Sequence, residues 1–155
     1  MLEIFNVDRL DREILRLLQQ DATMAVSEIA EKIGLTTTPC WRRIQSLEQQ
    51  GVIKQRVALL DANKLNLGMT VFVQVKAGKH DISWLTTFAE HAAKIEQIVE
   101  FYRMSGEYDY LLKVMVADMQ AFDEFYKQLV SGVDLSDVTS SFAMEQIKYT
   151  TALPV

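Results

Sequence analysis

Leu35-Thr-Thr-Thr-Pro-Cys-Trp-Arg-Arg-Ile-Gln-Ser-Leu-Glu48 is the stretch on which the fold turns. Pro39 fixes its own φ, lacks an N–H and disfavours helical geometry at Thr38, so the stretch predicts a helix starting at Pro39 with Thr38 as its cap. Trp41, Ile44 and Leu47 recur every third residue as an apolar stripe, which leaves Arg42, Arg43 and Ser46 outward. Gly51 is placed to stop this helix, and residues 52–60 then turn β-branched and aliphatic, as a strand or wing would.

Immediately upstream, Val26-Ser-Glu-Ile-Ala-Glu-Lys-Ile-Gly-Leu35 is a shorter helical pattern with Val26, Ile29, Ala30 and Ile33 on one face. Gly34 supplies the stop, and Ala30 is small enough for two helices to cross closely. A short helix, a glycine turn and a capped second helix form a helix-turn-helix. Arg43 stands where the usual spacing wants an apolar residue, with Ile44 following it, which implies a turn lengthened by one residue around Pro39. Before this pair, Asp8-Arg-Leu-Asp-Arg-Glu-Ile-Leu-Arg-Leu-Leu-Gln19 predicts a bracing helix: Asp8 caps it, Asp11 suits the positive end of its dipole, and Leu10, Ile14, Leu17 and Leu18 form its apolar face.

The net charge of −5 looks wrong for a nucleic-acid binder until it is divided along the chain. Residues 1–60 hold eight Lys or Arg against eight Asp or Glu, and the remainder holds eight against thirteen. Between residues 32 and 56, Lys32, Arg42, Arg43, Lys54 and Arg56 are opposed only by Glu48. That is an electrostatic footprint for phosphates on an otherwise acidic protein. The expected DNA-facing residues are Thr37, Thr38, Arg42, Arg43 and Ser46 on the second helix, with Lys54 and Arg56 against the backbone.

A chain of 155 residues, 49% hydrophobic and 24% charged, is a globular composition with room for two small domains. Met1-Leu-Glu-Ile-Phe-Asn-Val-Asp8 carries no positive charge and does not resemble a signal peptide. No apolar run reaches the roughly 18 residues that suggest a membrane span. The expectation is a cytoplasmic protein without a membrane partner. A single cysteine, Cys40, excludes an internal disulfide and a cysteine-rich metal site, and reads as a small buried filler. His80 and His91 lie apart without ligand spacing and read as surface residues, so no metal and no cofactor are expected. No nucleophile, base or metal constellation converges anywhere, which argues against an enzyme.

Asp61-Ala-Asn-Lys-Leu-Asn-Leu67 is polar and turn-prone and reads as a linker between domains at 1–60 and 68–155. Beyond it, residues 69–76 alternate as a strand, and Leu85, Phe88, Ala89 and Ala92 mark a helix. Residues 98–104 and 110–116 follow as strands around Ser105-Gly-Glu-Tyr-Asp109. Phe122, Phe125, Tyr126, Leu129 and Val130 mark a second helix, and residues 138–151 read as a last strand. This is the βαββαβ order of a ferredoxin-like domain, giving an α+β protein overall. Phe72, Leu111 and Met115 fall on the sheet face away from the helices, and an apolar patch there calls for a second subunit.

A free amino acid offers a carboxylate, an ammonium and a side chain. Gly106-Glu-Tyr-Asp109 could meet the first with turn N–H groups and the second with Asp109, while Met104 and Tyr108 line a pocket. Taken alone, the same segment also reads as a plain hairpin.

Asp8-Arg-Leu-Asp-Arg-Glu-Ile-Leu15, Leu35-Thr-Thr-Thr-Pro-Cys-Trp-Arg-Arg-Ile44, Leu47-Glu-Gln-Gln-Gly-Val-Ile53 and Gly106-Glu-Tyr-Asp-Tyr-Leu-Leu112 together resemble the Lrp/AsnC, or feast/famine, family of transcription regulators. The tail from Ser136 to Pro154 is similar to the cysteine-responsive branch of that family. The resemblance implies a winged helix-turn-helix joined to a ferredoxin-like, RAM-type domain, double-stranded DNA as partner, and homodimers that assemble into tetramers or octamers. It also implies an amino-acid effector, with cysteine first and leucine or methionine as rivals, bound at the Gly-x-x-Asp turn with Thr139, Ser140 and Ser141 near the last strand. The alternative is a DNA-architectural protein that shares the fold and senses nothing.

Overall fold

The computed structural model describes residues 6–78 and 81–155, so the expectations for Met1–Phe5 and for His80 lie outside the described residues. The chain forms two compact units. One holds the described residues up to Leu59 together with Lys148–Val155, and the other runs Leu60–Ile147.

The first unit contains α1 (Arg9–Gln20), α2 (Val26–Ile33) and α3 (Thr37–Gln49). Asp8 caps α1 through a reciprocal box in which the Asp11 N–H donates to Asp8 and the Asp8 N–H donates to Asp11. Gly34 ends α2 at φ 72°, a left-handed conformation that costs a glycine little. Ile14, Leu15, Ile29, Ala30, Cys40, Ile44 and Leu47 are buried together as the core.

Three expectations for this unit need correction. The helix α3 starts at Thr37 with Thr36 at the cap, two residues earlier than Pro39 suggested. Proline then occupies the third helical position, within the first turn where no intrahelical N–H bond is lost, and the first helical bond runs from the Cys40 N–H to the Thr36 carbonyl. Cys40, not Trp41, completes the buried face with Ile44 and Leu47; Trp41 is 51% exposed. Residues 52–60 form no strand, because among the described residues no neighbouring backbone offers a ladder, and Val57, Leu59 and Leu60 are exposed.

The second unit contains β1 (Met69–Ala77), α4 (Ile82–Ala92), β2 (Ile98–Arg103), β3 (Tyr110–Val116), α5 (Met119–Val130) and β4 (Leu135–Phe142). Asp81 and Asp118 cap the two helices. The strands form one antiparallel sheet in the order β2-β3-β1-β4, the ferredoxin-like arrangement. Val71, Val73 and Val75 alternate inward from β1, opposite Leu112 and Val114, and pack under Trp84, Phe88, Phe125 and Leu129. Trp84 stacks on Phe88 at 5.2 Å between ring centroids, and Phe88 contacts Phe101 and Tyr110 at 5.9 and 5.0 Å.

The last strand is not residues 138–151. It begins at Leu135, opposite the end of β1 at Ala77, and ends at Phe142 opposite Val71; one further bond, from the Ala143 N–H to the Thr70 carbonyl at 3.0 Å, takes the chain to the start of β1 at Met69, beyond which no partner strand remains among the described residues. The remaining tail leaves the sheet, and its end belongs to the first unit, which shortens the 68–155 domain read from the sequence. The Leu153 N–H donates to Gln19 Oε1 at 2.6 Å, Gln19 Nε2 donates to the Leu153 carbonyl at 3.1 Å, and Arg16 Nε donates to the Val155 carbonyl at 2.6 Å. Val155 packs against the first core.

Candidate nucleic-acid interface and effector turn

With Cys40, Ile44 and Leu47 buried, residues two positions away point outward, and this places Thr38, Arg42 and Ser46 in a row at four-residue spacing on the far side of α3. Thr37, Thr38 and Arg42 are exposed, and none has a hydrogen-bond or ion-pair partner among the described residues. Ser46 is half-buried and its hydroxyl accepts from Gln50 Nε2 at 3.0 Å. Lys54 is exposed and likewise without a partner among the described residues. Thr37, Thr38, Arg42 and Lys54 thus present side-chain donors to a nucleic acid with no side-chain contact among the described residues to break.

The other two expected arginines are engaged within the unit. Arg56 donates to the Ala22 carbonyl at 3.2 Å and pairs with Glu48 at 3.0 Å. Arg43 Nη1 bridges Asp8 Oδ2 at 2.7 Å and Asp11 Oδ1 at 2.8 Å, with its side chain only 32% exposed. The Asp11 N–H, followed by the Arg43 guanidinium, holds the Asp8 carboxyl below the usual carboxylate range, and Asp8 and Asp11 in turn hold Arg43 more firmly protonated. The apolar position that seemed to be missing at Arg43 is therefore a polar contact to α1, and the helix needs no extra residue in its turn. Burial pushes the Cys40 thiol up, against the opposing charge of Arg43, so the thiolate that oxidation or metal binding requires is disfavoured.

In the second unit, Gly106 adopts φ 143°, which a side chain would strain, in a turn open to solvent. Asp109 is built into the sheet end. Its N–H donates to the Val75 carbonyl at 2.9 Å, and its carboxylate Oδ2 accepts from the Ala77 N–H at 2.7 Å, the next donor along β1 on that side. Met104 closes the turn by donating its N–H to the Asp109 carbonyl at 2.8 Å and leaves its side chain exposed. Tyr108 reaches across to β4, its hydroxyl 3.0 Å from Thr139 Oγ1 and 3.3 Å from Asp137 Oδ2. Thr139 and Ser141 pair with Gln74 and Phe72 on the open face. Ser140 pairs with buried Val73 and so lies on the helix-covered face, because neighbours along a strand alternate. The structure thus brings Tyr108, Asp109 and Thr139 to one end of the sheet and separates Ser140 from them.

The open face carries Phe72, Leu111 and Met115, as the alternation predicted, and the structure adds Tyr102, whose hydroxyl donates to Glu100 at 2.7 Å beside the Lys113–Glu100 pair at 2.9 Å. The Tyr102 hydroxyl, and then Lys113, lower the Glu100 carboxyl below its usual range. His91 is half-buried between helices, bonded at 2.8 Å to the Gln128 carbonyl. Among the described residues no group of His, Cys, Asp and Glu could hold a metal ion, and no helix is long and apolar enough to cross a membrane.

A helix-turn-helix with an outward basic face, carried on the same chain as a separate ferredoxin-like domain, defines a DNA-binding regulator with its own sensing domain. Residues 7–54 match the winged helix-turn-helix DNA-binding family, and residues 70–153 match the Lrp/AsnC ligand binding domain. The chain is 53% identical over 150 residues to the DNA-binding transcriptional activator DecR of Escherichia coli K12, covering 96% of this chain and 99% of that one. An AsnC family transcriptional regulator from Agrobacterium tumefaciens superposes with a TM-score of 0.92 at 57% identity, covering 95% of this chain and 96% of that one. A transcriptional regulator from Neisseria meningitidis, solved as a complex with L-Met, superposes at 0.91 with 34% identity, covering 96% and 97%. The chain belongs to the Lrp/AsnC family of transcriptional regulators.

Proposed function

We propose that this regulator reads DNA with the outer face of α3 and answers to a small amino acid bound by its second unit. Thr37, Thr38, Arg42 and Ser46 face the major groove, with Arg42 as the base-reading side chain and Lys54 against phosphate. The observation that carries this reading is the unpartnered row of Arg42 and its threonines opposite a buried apolar face. Arginine to guanine is the commonest specific contact, so Arg42→Ala weakens the preferred site by roughly 1–3 kcal/mol. Lys54→Ala weakens all duplexes alike and flattens the salt dependence. Selection of a preferred duplex from a random pool, followed by gel shifts, tests the reading; unchanged preference in Arg42→Ala contradicts it.

For the effector, Tyr108, Asp109 and Thr139 with the Gly106 turn and the exposed Met104 supply polar groups beside an apolar surface. Ser141 lies on the same open face as Thr139. Cysteine is the first candidate, and methionine gains support from the L-Met complex of the Neisseria relative; leucine remains a rival. The apolar open face of the sheet buries against a second subunit, giving a homodimer and then higher assemblies, in the cytoplasm. An architectural protein without an effector is the second reading, and ligand-induced thermal stabilisation separates the two, because a ligand bound only by the native state raises its stability.

A further inference from the structure

Arg42 and Arg43 are adjacent in the sequence and differ in what they meet. Arg42 stands in solvent, whereas Arg43 sets one nitrogen, Nη1, between two carboxylates at 2.7 and 2.8 Å. Both carboxylates already belong to the capping box that starts α1, so the guanidinium joins the outer flank of α3 to the first turn of α1. Asp8 and Asp11 are fixed by their own backbone bonds, at 2.9 and 3.2 Å, which makes them a rigid anchor and not two loose surface acids. The direct contacts between α1 and α3 are otherwise apolar, through Ile14, Leu15 and their neighbours in the first core. Such packing fixes which face of α3 turns inward, and a charged hydrogen bond to two fixed points adds a directional restraint that holds the rotation of the helix more finely.

We propose that Arg43 is a positioning residue for sequence recognition. Held by Asp8 and Asp11, it fixes the rotation of α3 so that Arg42 and Thr38 meet base edges, and it does not itself contact DNA. This rests on the reading of α3 as the groove helix. Its consequence is that two acidic residues on a different helix control the choice of DNA sequence. An acidic pair next to a DNA-binding helix repels phosphate, so its presence otherwise lowers affinity.

The test uses the full chain and compares a duplex selected by the wild-type protein with a scrambled duplex of the same composition. Arg43→Ala and the shape-preserving pair Asp8→Asn with Asp11→Asn are expected to lower the ratio of selected to scrambled affinity by a similar factor, about tenfold, the equivalent of about 1.4 kcal/mol. Combining all three changes is expected to lower it no further, because the residues act as one unit. Asparagine still caps a helix, so α1 keeps its start. Arg43→Lys is expected to restore most of the ratio, since an ammonium can bridge two carboxylates as Nη1 does but lacks the planar, rigid fork with which a guanidinium is matched to a base edge.

Two outcomes overturn the proposal through DNA. If Arg43→Ala lowers the ratio while the Asp pair leaves or raises it, and lysine fails to rescue, Arg43 reads a base. If Arg43→Ala weakens both duplexes equally and lowers the salt slope by about one ion, it binds phosphate. Amide exchange in the free protein tests the clamp without DNA: Thr37–Gln49 is expected to exchange faster in Arg43→Ala and in the Asp pair, with Val26–Ile33 unchanged. Unaltered protection of Thr37–Gln49 overturns the proposal. A wild-type protein that fails to distinguish the two duplexes defeats the groove-helix reading instead, and leaves the exchange result to decide the clamp.

Discussion

The first unit closes a small aliphatic core and then ties its edges with polar contacts, Arg43 to Asp8 and Asp11, Arg56 to Glu48, and Gln19 to the tail at Leu153. The second unit closes around rings, with Trp84 and Phe101 each touching both Phe88 and Tyr110, against a sheet of valines. Burying a ring removes far more apolar surface than a half-exposed hydrogen bond gains after desolvation. The stability of the second unit therefore rests chiefly on its buried rings, whereas the edges of the first are held by polar contacts that single substitutions can remove. That division suits a regulator in which DNA reading must respond.

Breaking a ring contact is the harshest challenge to this contrast. Phe88 is fully buried, so Phe88→Ala costs about 3–5 kcal/mol in the second unit. Each unit carries one tryptophan, Trp41 in the first and Trp84 in the second, so urea unfolding followed in Trp41→Phe and Trp84→Phe backgrounds separates the two transitions. A loss confined to the Trp84 signal is expected; an equal loss at Trp41 means the units unfold as one.

A milder change acts on the tail. Gln19→Ala removes two bonds to Leu153 from a half-exposed site, so the first unit loses about 1 kcal/mol and the tail becomes more open to proteolysis. Unchanged digestion kinetics would show that Arg16 and the packing of Val155 hold the tail unaided.

Acidification has the smallest effect. The folded-state values of Asp8 and Asp21 are lowered, Asp8 chiefly by the Asp11 N–H and then Arg43, and Asp21 chiefly by the Thr23 hydroxyl and then its N–H. A lowered carboxyl stabilises the fold above its unfolded-state value of about 4, and the stabilisation is lost as pH falls through the folded value. Thermal unfolding of the first unit therefore occurs at lower temperature at pH 3 than at pH 6. Replacing Asp8 by asparagine reduces this dependence.

Much of this architecture is legible in the residues because it rests on local signals. Asp8 before an apolar period of helical spacing gave α1, Gly34 ended α2, and alternating valines gave β1. Tyr110–Val116 was bounded correctly because the Ser105–Asp109 turn sits before it and a helical apolar period begins soon after it. The failures share a cause, which is that a distant partner made the choice. Three consecutive threonines are equivalent as caps until packing selects Thr36. The strand β4 starts in the polar Leu135-Ser-Asp137 because β1 is there to pair with it, while the more strand-like tail after Phe142 has no ladder. Leu15, beside Ile14 and outside the expected apolar face, was missed as a core residue, yet it is buried in the same cluster. The Arg43 ion pair was not foreseen because its partners lie more than thirty residues away, although Asp8 and Asp11 were visible as a pair of acids with a helix-start spacing.

The central claim is that DNA reading in the first unit is governed by an amino acid bound in the second. Calorimetry of the wild-type protein with cysteine, methionine and leucine, run with and without the selected duplex, tests it most directly. The account predicts that one of them binds, that DNA changes its affinity, and that the amino acid changes DNA affinity by the same factor, because coupling between two sites is reciprocal. An amino acid that binds with the same affinity whether or not the duplex is present would contradict it.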